Sequence, residues 1–226
     1  MARSIIVTGG FGILGQAVAE AFASAGDKVA RIDFAPSPAT PLPGALDIGG
    51  IDLNDAAATH AALNAVAAAQ GGLDVLVNVA GGFTWETLEE GSIDSWARMQ
   101  AMNLLSNATI TKLALPLLKA SASGRVVNIG AGAATKAGMG MGAYAASKSG
   151  VHRLTEALAE ELAGTSVTVN AVLPSVIDTP ANRADMPDAD PAQWVKPAAL
   201  AEVILFLASP AARAISGALI PVSRGG

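Results

Sequence analysis

Six short runs rich in β-branched and other apolar residues punctuate the chain, at 4–8, 28–33, 74–78, 124–129, 166–172 and 217–222. They are nearly continuous rather than alternating, which is the pattern of strands covered on both faces. The longer segments between them, 14–24, 55–69, 93–119, 143–163 and 197–208, carry apolar residues at helical spacing. Strands therefore alternate with helices, and the chain predicts an α/β fold of the doubly wound, Rossmann type: a mostly parallel seven-stranded sheet with helices on both faces. The seventh strand falls at 45–48 or at 50–53, and Pro36, Pro38, Pro41 and Pro43 leave both placements open. No linker divides residues 1–226, so a single domain is expected. A second irregular stretch, 174–197, holds five prolines and two acidic clusters and is a candidate lid over a substrate site.

Composition narrows the function classes. The hydrophobic fraction is 51% with only 4% aromatic, and runs such as Ala56-Ala-Ala58 show that alanine supplies much of it. Small side chains suit close packing of helices on a sheet or on a second subunit. A formal net charge of −5 gives no global attraction for nucleic acid or an anionic membrane. Without cysteine, disulfides and thiolate metal sites are excluded, and with only His60 and His152 no metal centre is expected. The start of the chain lacks the basic flank, apolar core and small-residue cleavage site of a signal peptide. No uninterrupted apolar stretch reaches the roughly 18 residues needed to span a bilayer. A cytoplasmic protein is the expectation.

The first strand runs into Gly9-Gly-Phe-Gly-Ile-Leu-Gly15 and then into a helix; read from Gly10, this is Gly-x-Gly-x-x-Gly. Glycines let the backbone approach a pyrophosphate, and a helix N-terminus offers it unpaired N–H groups and a positive dipole end. Asp33 closes the second strand, the context that the dinucleotide fingerprint requires. Its carboxylate can accept from both ribose hydroxyls of NAD and would repel the additional phosphate of NADP, so NAD(H) is favoured over NADP(H). Phe34 stands where an arginine would reverse that preference, and Arg31, two residues before Asp33, is expected on the other sheet face.

Chemistry enters with the only tyrosine. Tyr144 precedes Lys148 by four residues in Gly142-Ala-Tyr-Ala-Ala-Ser-Lys148, which stacks hydroxyl and ammonium on one helix face. Bringing a phenol from its reference pKa of about 10 to neutrality takes about 4 kcal/mol. A lysine at ~4 Å supplies ~1 kcal/mol in water and ~4 at an effective dielectric near 20. The pair therefore needs a sheltered pocket, preferably with a second positive charge.

The glycine turn, Asn78-Val-Ala-Gly81, Asn103 and Tyr144-x-x-x-Lys148, in this order and spacing, together resemble the short-chain dehydrogenase/reductase family over nearly the whole chain. The resemblance implies an NAD(P)-dependent oxidoreductase in which Tyr144 transfers a proton, Lys148 binds the nicotinamide ribose and lowers the tyrosine's pKa, and Asn103 holds a water or backbone group linked to Lys148. It further implies cofactor contacts from Gly9, Gly10, Gly12, Leu14 and Gly15, from Asp33, Asp52 and Leu53, from Asn78, Ala80 and Gly81, and from Pro174, Ile177 and Thr179. The partners implied are a small-molecule substrate and further copies of the chain, as a homodimer or homotetramer.

The pattern departs from the family at one point. Thirteen residues before Tyr144, where a serine is usual, stands Ala131, and Thr135 is the nearest hydroxyl that follows. A branch of the family, the quinonoid dihydropteridine reductases, is similar in the form of the glycine turn, in Ala131, in Gly81-Gly-Phe-Thr-Trp85 and in the 171–194 region. That likeness implies a flat bicyclic substrate resting on Trp85, Ala131, Met186 and Trp194. Two alternatives stay open: a carbonyl or alcohol oxidoreductase using water or Thr135 in place of the serine, and a non-catalytic NAD-binding sensor. His152, four residues after Lys148, is expected at a packing or subunit surface.

Overall fold

A strand that meets helices on both faces has no polar side to present, and the first strand, Ser4–Thr8 (β1), is buried at all five positions. Its alternation divides the core. Ile5 and Val7 face one layer with Val18, Phe22, Leu200 and Ile204, while Ile6 faces the other with Leu63, Val66, Ile110 and Leu118. Each such side chain, taken out of water, contributes about 1.5–3 kcal/mol.

The computed structural model describes residues 2–224. Seven strands form one parallel sheet: β1, β2 (Lys28–Ile32), β3 (Leu46–Ile48), β4 (Val75–Asn78), β5 (Arg125–Ile129), β6 (Thr168–Pro174) and β7 (Leu219–Val222). Their order is β3-β2-β1-β4-β5-β6-β7. The third strand thus takes the earlier of the two places the sequence left open. Helices α1 (Ile13–Ser24) and α7 (Pro197–Leu207) pack together on one face; α2 (Ala56–Gln70), α4 (Ser106–Ala120) and α5 (Gly142–Glu161) cover the other. Strand order reverses direction at β1, between β2 and β4. In open α/β sheets the crevice beyond the carboxyl ends of such strands is where ligands bind.

The helix expected over 93–119 is not uniform. It begins as α3 (Ile93–Met99), passes through a π-helical segment, Gln100–Leu105, and resumes as α4. Inserting a residue in this way turns the side chains of that segment relative to a regular helix, and Asn103 lies within it. No helix among the described residues is long and apolar enough to cross a membrane.

Candidate active site

The crevice at the switch point is a cleft of about 1020 Å³. Its glycine-turn end is made of backbone in close contact. Gly9 adopts φ +61, and a Cβ there would lie 2.9 Å from the Ala80 backbone, so the turn after β1 packs directly on the segment after β4. Gly12 caps α1 without a side-chain hydrogen bond, whereas α2 is capped by Asp55 and α3 by Ser92. The first-turn N–H groups of α1 are left for a ligand, and the nearest atom to a Cβ on Gly12 would be 3.5 Å away. This cradle fits a phosphate group. Beside it, Asp33 accepts from the Phe11 N–H and the Ala35 N–H, both at 2.9 Å. Each carboxylate oxygen keeps a lone pair for a further donor.

At the other end stand Tyr144 and Lys148, on the first turns of α5. The Lys148 Nζ donates to the Ile129 carbonyl at the end of β5, at 2.8 Å. The ammonium is buried, and burial lowers its pKa from 10.5 to about 8. Burial also raises the Tyr144 phenol to about 12. This runs opposite to the lowering that the Tyr–Lys spacing suggested: within the protein, burial sets the direction, and at neutral pH the phenol keeps its proton. Phe83 packs edge-on against the Tyr144 ring, with centroids 4.9 Å apart and planes at 82°. Asn103 clasps the backbone of Gly82, accepting from its N–H at 2.9 Å and donating to its carbonyl at 3.1 Å. The same amide donates to the Ser147 hydroxyl at 2.9 Å, beside Lys148 in sequence. A Cβ on Gly81 would meet Asn103 Oδ1 at 2.6 Å and Lys148 Nζ at 3.3 Å, which is why glycine stands there.

The structure brings much of the expected set to this one cleft. Gly9, Gly12, Leu14, Gly15, Asp33, Asp52 and Leu53 line one part, and Ala80, Gly81, Tyr144, Lys148, Ile177 and Thr179 line the rest. Other expected residues are placed elsewhere, for identifiable reasons. Gly10 does not line the cleft; a Cβ there would meet the Arg31 side chain at 2.6 Å, so this glycine makes room for an arginine. Arg31 is accordingly not on the other sheet face but beneath the turn, over the Phe11 ring. Asn78 turns its amide into a buried network with Asn107, Thr111 and Asn128. Pro174 ends β6 in the core, and Asn103 acts through Gly82 rather than on the cleft wall.

The expected substrate contacts change most. Trp194 is buried next to Val195, whose N–H and carbonyl bond to Val176 and Asp178, so it plugs the base of the irregular segment instead of facing a ligand. Trp85 is half exposed and covers Gly140, outside the cleft wall, as is Met186 at the end of α6 (Pro180–Asp185). Ala131 is buried, and its N–H donates to His152 Nε2 at 3.3 Å. His152 is itself buried; burial and the nearby Arg153 lower its pKa and keep it a neutral acceptor. The Thr135 hydroxyl donates to Gly132 O at 2.7 Å and does not line the cleft. Cleft-wall residues outside the expected set include Phe83, Arg98 and Met102. Phe83 had a signal, its place two residues past Gly81; Met102 had none, because it lies in the π-segment whose turn decides where it points, and neither did Arg98, in the last turn of α3.

Fold and cleft together define a Rossmann-type α/β protein with an open helix terminus at one end of its switch-point crevice and a Tyr–Lys pair at the other. The family model described as short chain dehydrogenase matches residues 3–190. The D-threitol dehydrogenase of Mycolicibacterium smegmatis is 33% identical over 238 residues, covering 97% of this chain and 91% of that protein. Among solved structures, the ligand-free aldohexose dehydrogenase of Thermoplasma acidophilum superposes with a TM-score of 0.90 at 28% identity, over 99% of this chain and 93% of that one. The 3-ketoacyl-(acyl-carrier-protein) reductase of Brucella melitensis, complexed with NADH, gives 0.87 at 27% identity over 97% and 96%. The chain belongs to the short-chain dehydrogenase/reductase family.

Proposed function

We propose that this protein is an NAD(H)-dependent oxidoreductase that reduces a flat, conjugated ring of the quinonoid dihydropterin type, with Tyr144 as proton donor. The observation that carries the reading is that one cleft joins the uncapped N-terminus of α1 and Asp33 to Tyr144 and Lys148. The nicotinamide dinucleotide, when bound, supplies the hydride. The α1 terminus holds its pyrophosphate, Asp33 its adenosine ribose, and Lys148 the ribose next to the nicotinamide. The NADH named in the Brucella melitensis complex supports a nicotinamide cofactor, and the carboxylate of Asp33 supports the form without the extra phosphate.

Tyr144 retains its proton at neutral pH, as a donor must. Phe83, edge-on to that phenol, offers an apolar surface to a planar ring. Ala131, buried off the cleft wall, offers a substrate oxygen no hydroxyl, and a ring that spreads its incoming electron pair over conjugated nitrogens has least need of one. The 174–197 segment, from which Ile177 and Thr179 reach the cleft, serves as the substrate lid. A second reading, a polyol or carbonyl oxidoreductase, is favoured by what the relatives' names say they act on. The protein acts in the cytoplasm as a homodimer or homotetramer, with α4 and α5 supplying small residues for close packing.

The test is a turnover screen with NADH and NADPH against a quinonoid dihydropterin, a quinone and a simple ketone, and with NAD against D-threitol. Pterin reduction by NADH above the enzyme-free rate is expected. Turnover confined to the ketone or the polyol would move the assignment to the second reading, and ADP-ribose binding with no turnover at all would leave a sensor.

A further inference from the structure

Among the described residues Arg31 is the largest fully buried side chain, and it does not line the cleft. Its guanidinium holds Asp47 in a two-pronged pair, Nε to Oδ1 and Nη2 to Oδ2, both at 2.7 Å. The Arg31 side chain has no exposure, whereas that of Asp47 keeps 27%. Two N–H groups of the same fork reach the Thr40 carbonyl at 3.4 Å. The Arg31 Cζ stands 5.4 Å from the Phe11 ring centroid, and the aliphatic stem fills the space beside Gly10. One buried cation thus touches three separate pieces of chain: the glycine turn, the proline-rich loop at 35–44, and β3.

Those pieces are what Asp33 depends on. Its two oxygens are held by the Phe11 N–H from the turn and the Ala35 N–H from the loop. Ala35, Ser37 and Ala39 of that loop also form the cleft wall next to Asp33. Its other ties are at its two ends, where the Ala35 carbonyl accepts from the Gly50 N–H at 3.0 Å, Pro36 packs on Gly49 and Leu42 rests on the core, whereas most of its residues, Thr40 among them, are exposed. A segment that must be ordered on binding weakens affinity by the entropy of ordering it.

We infer that Arg31, through its pair with Asp47, is a positioning residue for the adenosine end of the cofactor: it fixes the turn and the loop that present Asp33. This rests on the reading that the cleft takes a nicotinamide dinucleotide. Replacing arginine here with lysine does not preserve the device, because an ammonium cannot span Asp47 and Thr40 with one planar fork. The effect is confined to the glycine-turn end, since Asn103 holds Gly82 at the other end independently.

The experiment measures ADP-ribose binding by calorimetry, together with amide exchange, in the wild type, in Arg31→Met, and in the double variant Arg31→Met/Asp47→Leu. The double variant removes both charges, a change that typically leaves a fold intact, and carries the test if the single variant does not fold. The expected result is a Kd for ADP-ribose raised about tenfold in a variant whose resistance to urea matches the wild type. Exchange at the Phe11 and Ala35 amides quickens, while exchange at Gly82 does not. A folded variant that binds ADP-ribose within about twofold of the wild type overturns the inference, as does exchange that rises equally at Gly82. Failure of the wild type itself to bind ADP-ribose removes the dinucleotide reading and this inference with it.

Discussion

The glycine-turn end of the cleft holds its charged side chains in fixed pairs, whereas the tyrosine end leaves them in tension. Asp33 is held by two N–H groups, and Arg31 by Asp47 and Thr40. Neither the phenol of Tyr144 nor the ammonium of Lys148 is so well served: burial pushes each toward its neutral form, one up to about 12 and the other down to about 8. A binding surface gains from groups that are already fixed, because less order is lost when a ligand arrives. A site for proton transfer gains from groups whose charge is sensitive to what enters. Substitutions at the two ends should therefore separate chemistry from binding.

The largest effect falls on Tyr144. Tyr144→Phe is expected to reduce turnover about a thousandfold while leaving the Kd for ADP-ribose unchanged, read by steady-state kinetics and calorimetry. Weakened ADP-ribose binding would show that the two ends are not separable. Next comes Asn103→Ala, which leaves the Gly82 N–H and carbonyl unpaired and should cost about 3 kcal/mol of stability in urea titration. An unchanged midpoint would mean that Asn103 does not brace this end.

Asp33→Ser sharpens the contrast from the glycine side. Removing the carboxylate should shift the NADPH-to-NADH preference toward NADPH on the order of a hundredfold, measured as a ratio of Kd values, with the kcat for NADH retained. The smallest effect is a dependence on pH. Lys148 has a folded-state pKa of about 8 against an ordinary 10.5, so between those values the unfolded chain binds more protons than the folded one. Stability from this group is lowest below pH 8 and rises as pH climbs toward 10, where the opposite shift of Tyr144 begins to act. The gain over this window should be about 2 kcal/mol relative to Lys148→Met. A wild type whose unfolding tracks that of the variant across the same window would show that the ammonium is not desolvated.

Much of the fold was legible because the signals are local. A strand buried on both faces needs a continuous apolar run, and the apolar runs mark six of the seven strands to within a few residues at their ends. The glycine turn was legible because strand, turn and helix are contiguous, and Tyr144 with Lys148 because four residues make about one helical turn. The third strand was not, since Leu46–Ile48 is short, half-buried and preceded by prolines. Trp194 was misplaced because an aromatic in a loop carries no mark of whether it faces a ligand or a core. Arg31 was misplaced because its neighbours, Asp47, Thr40 and Phe11, are brought to it only when β1, β2 and β3 pair.

The sequence by itself determined the alternation of strands and helices, the open helix terminus and the spacing of phenol and ammonium, all of which depend on residues within a few positions of one another. Only the tertiary structure decided which side chains share the cleft, that Gly10 yields to an arginine rather than to a phosphate, and that Asn103 grips Gly82 through a π-helical turn. It also decided the direction of the Tyr144 pKa, because desolvation is set by everything packed around a group and not by its neighbour one turn away.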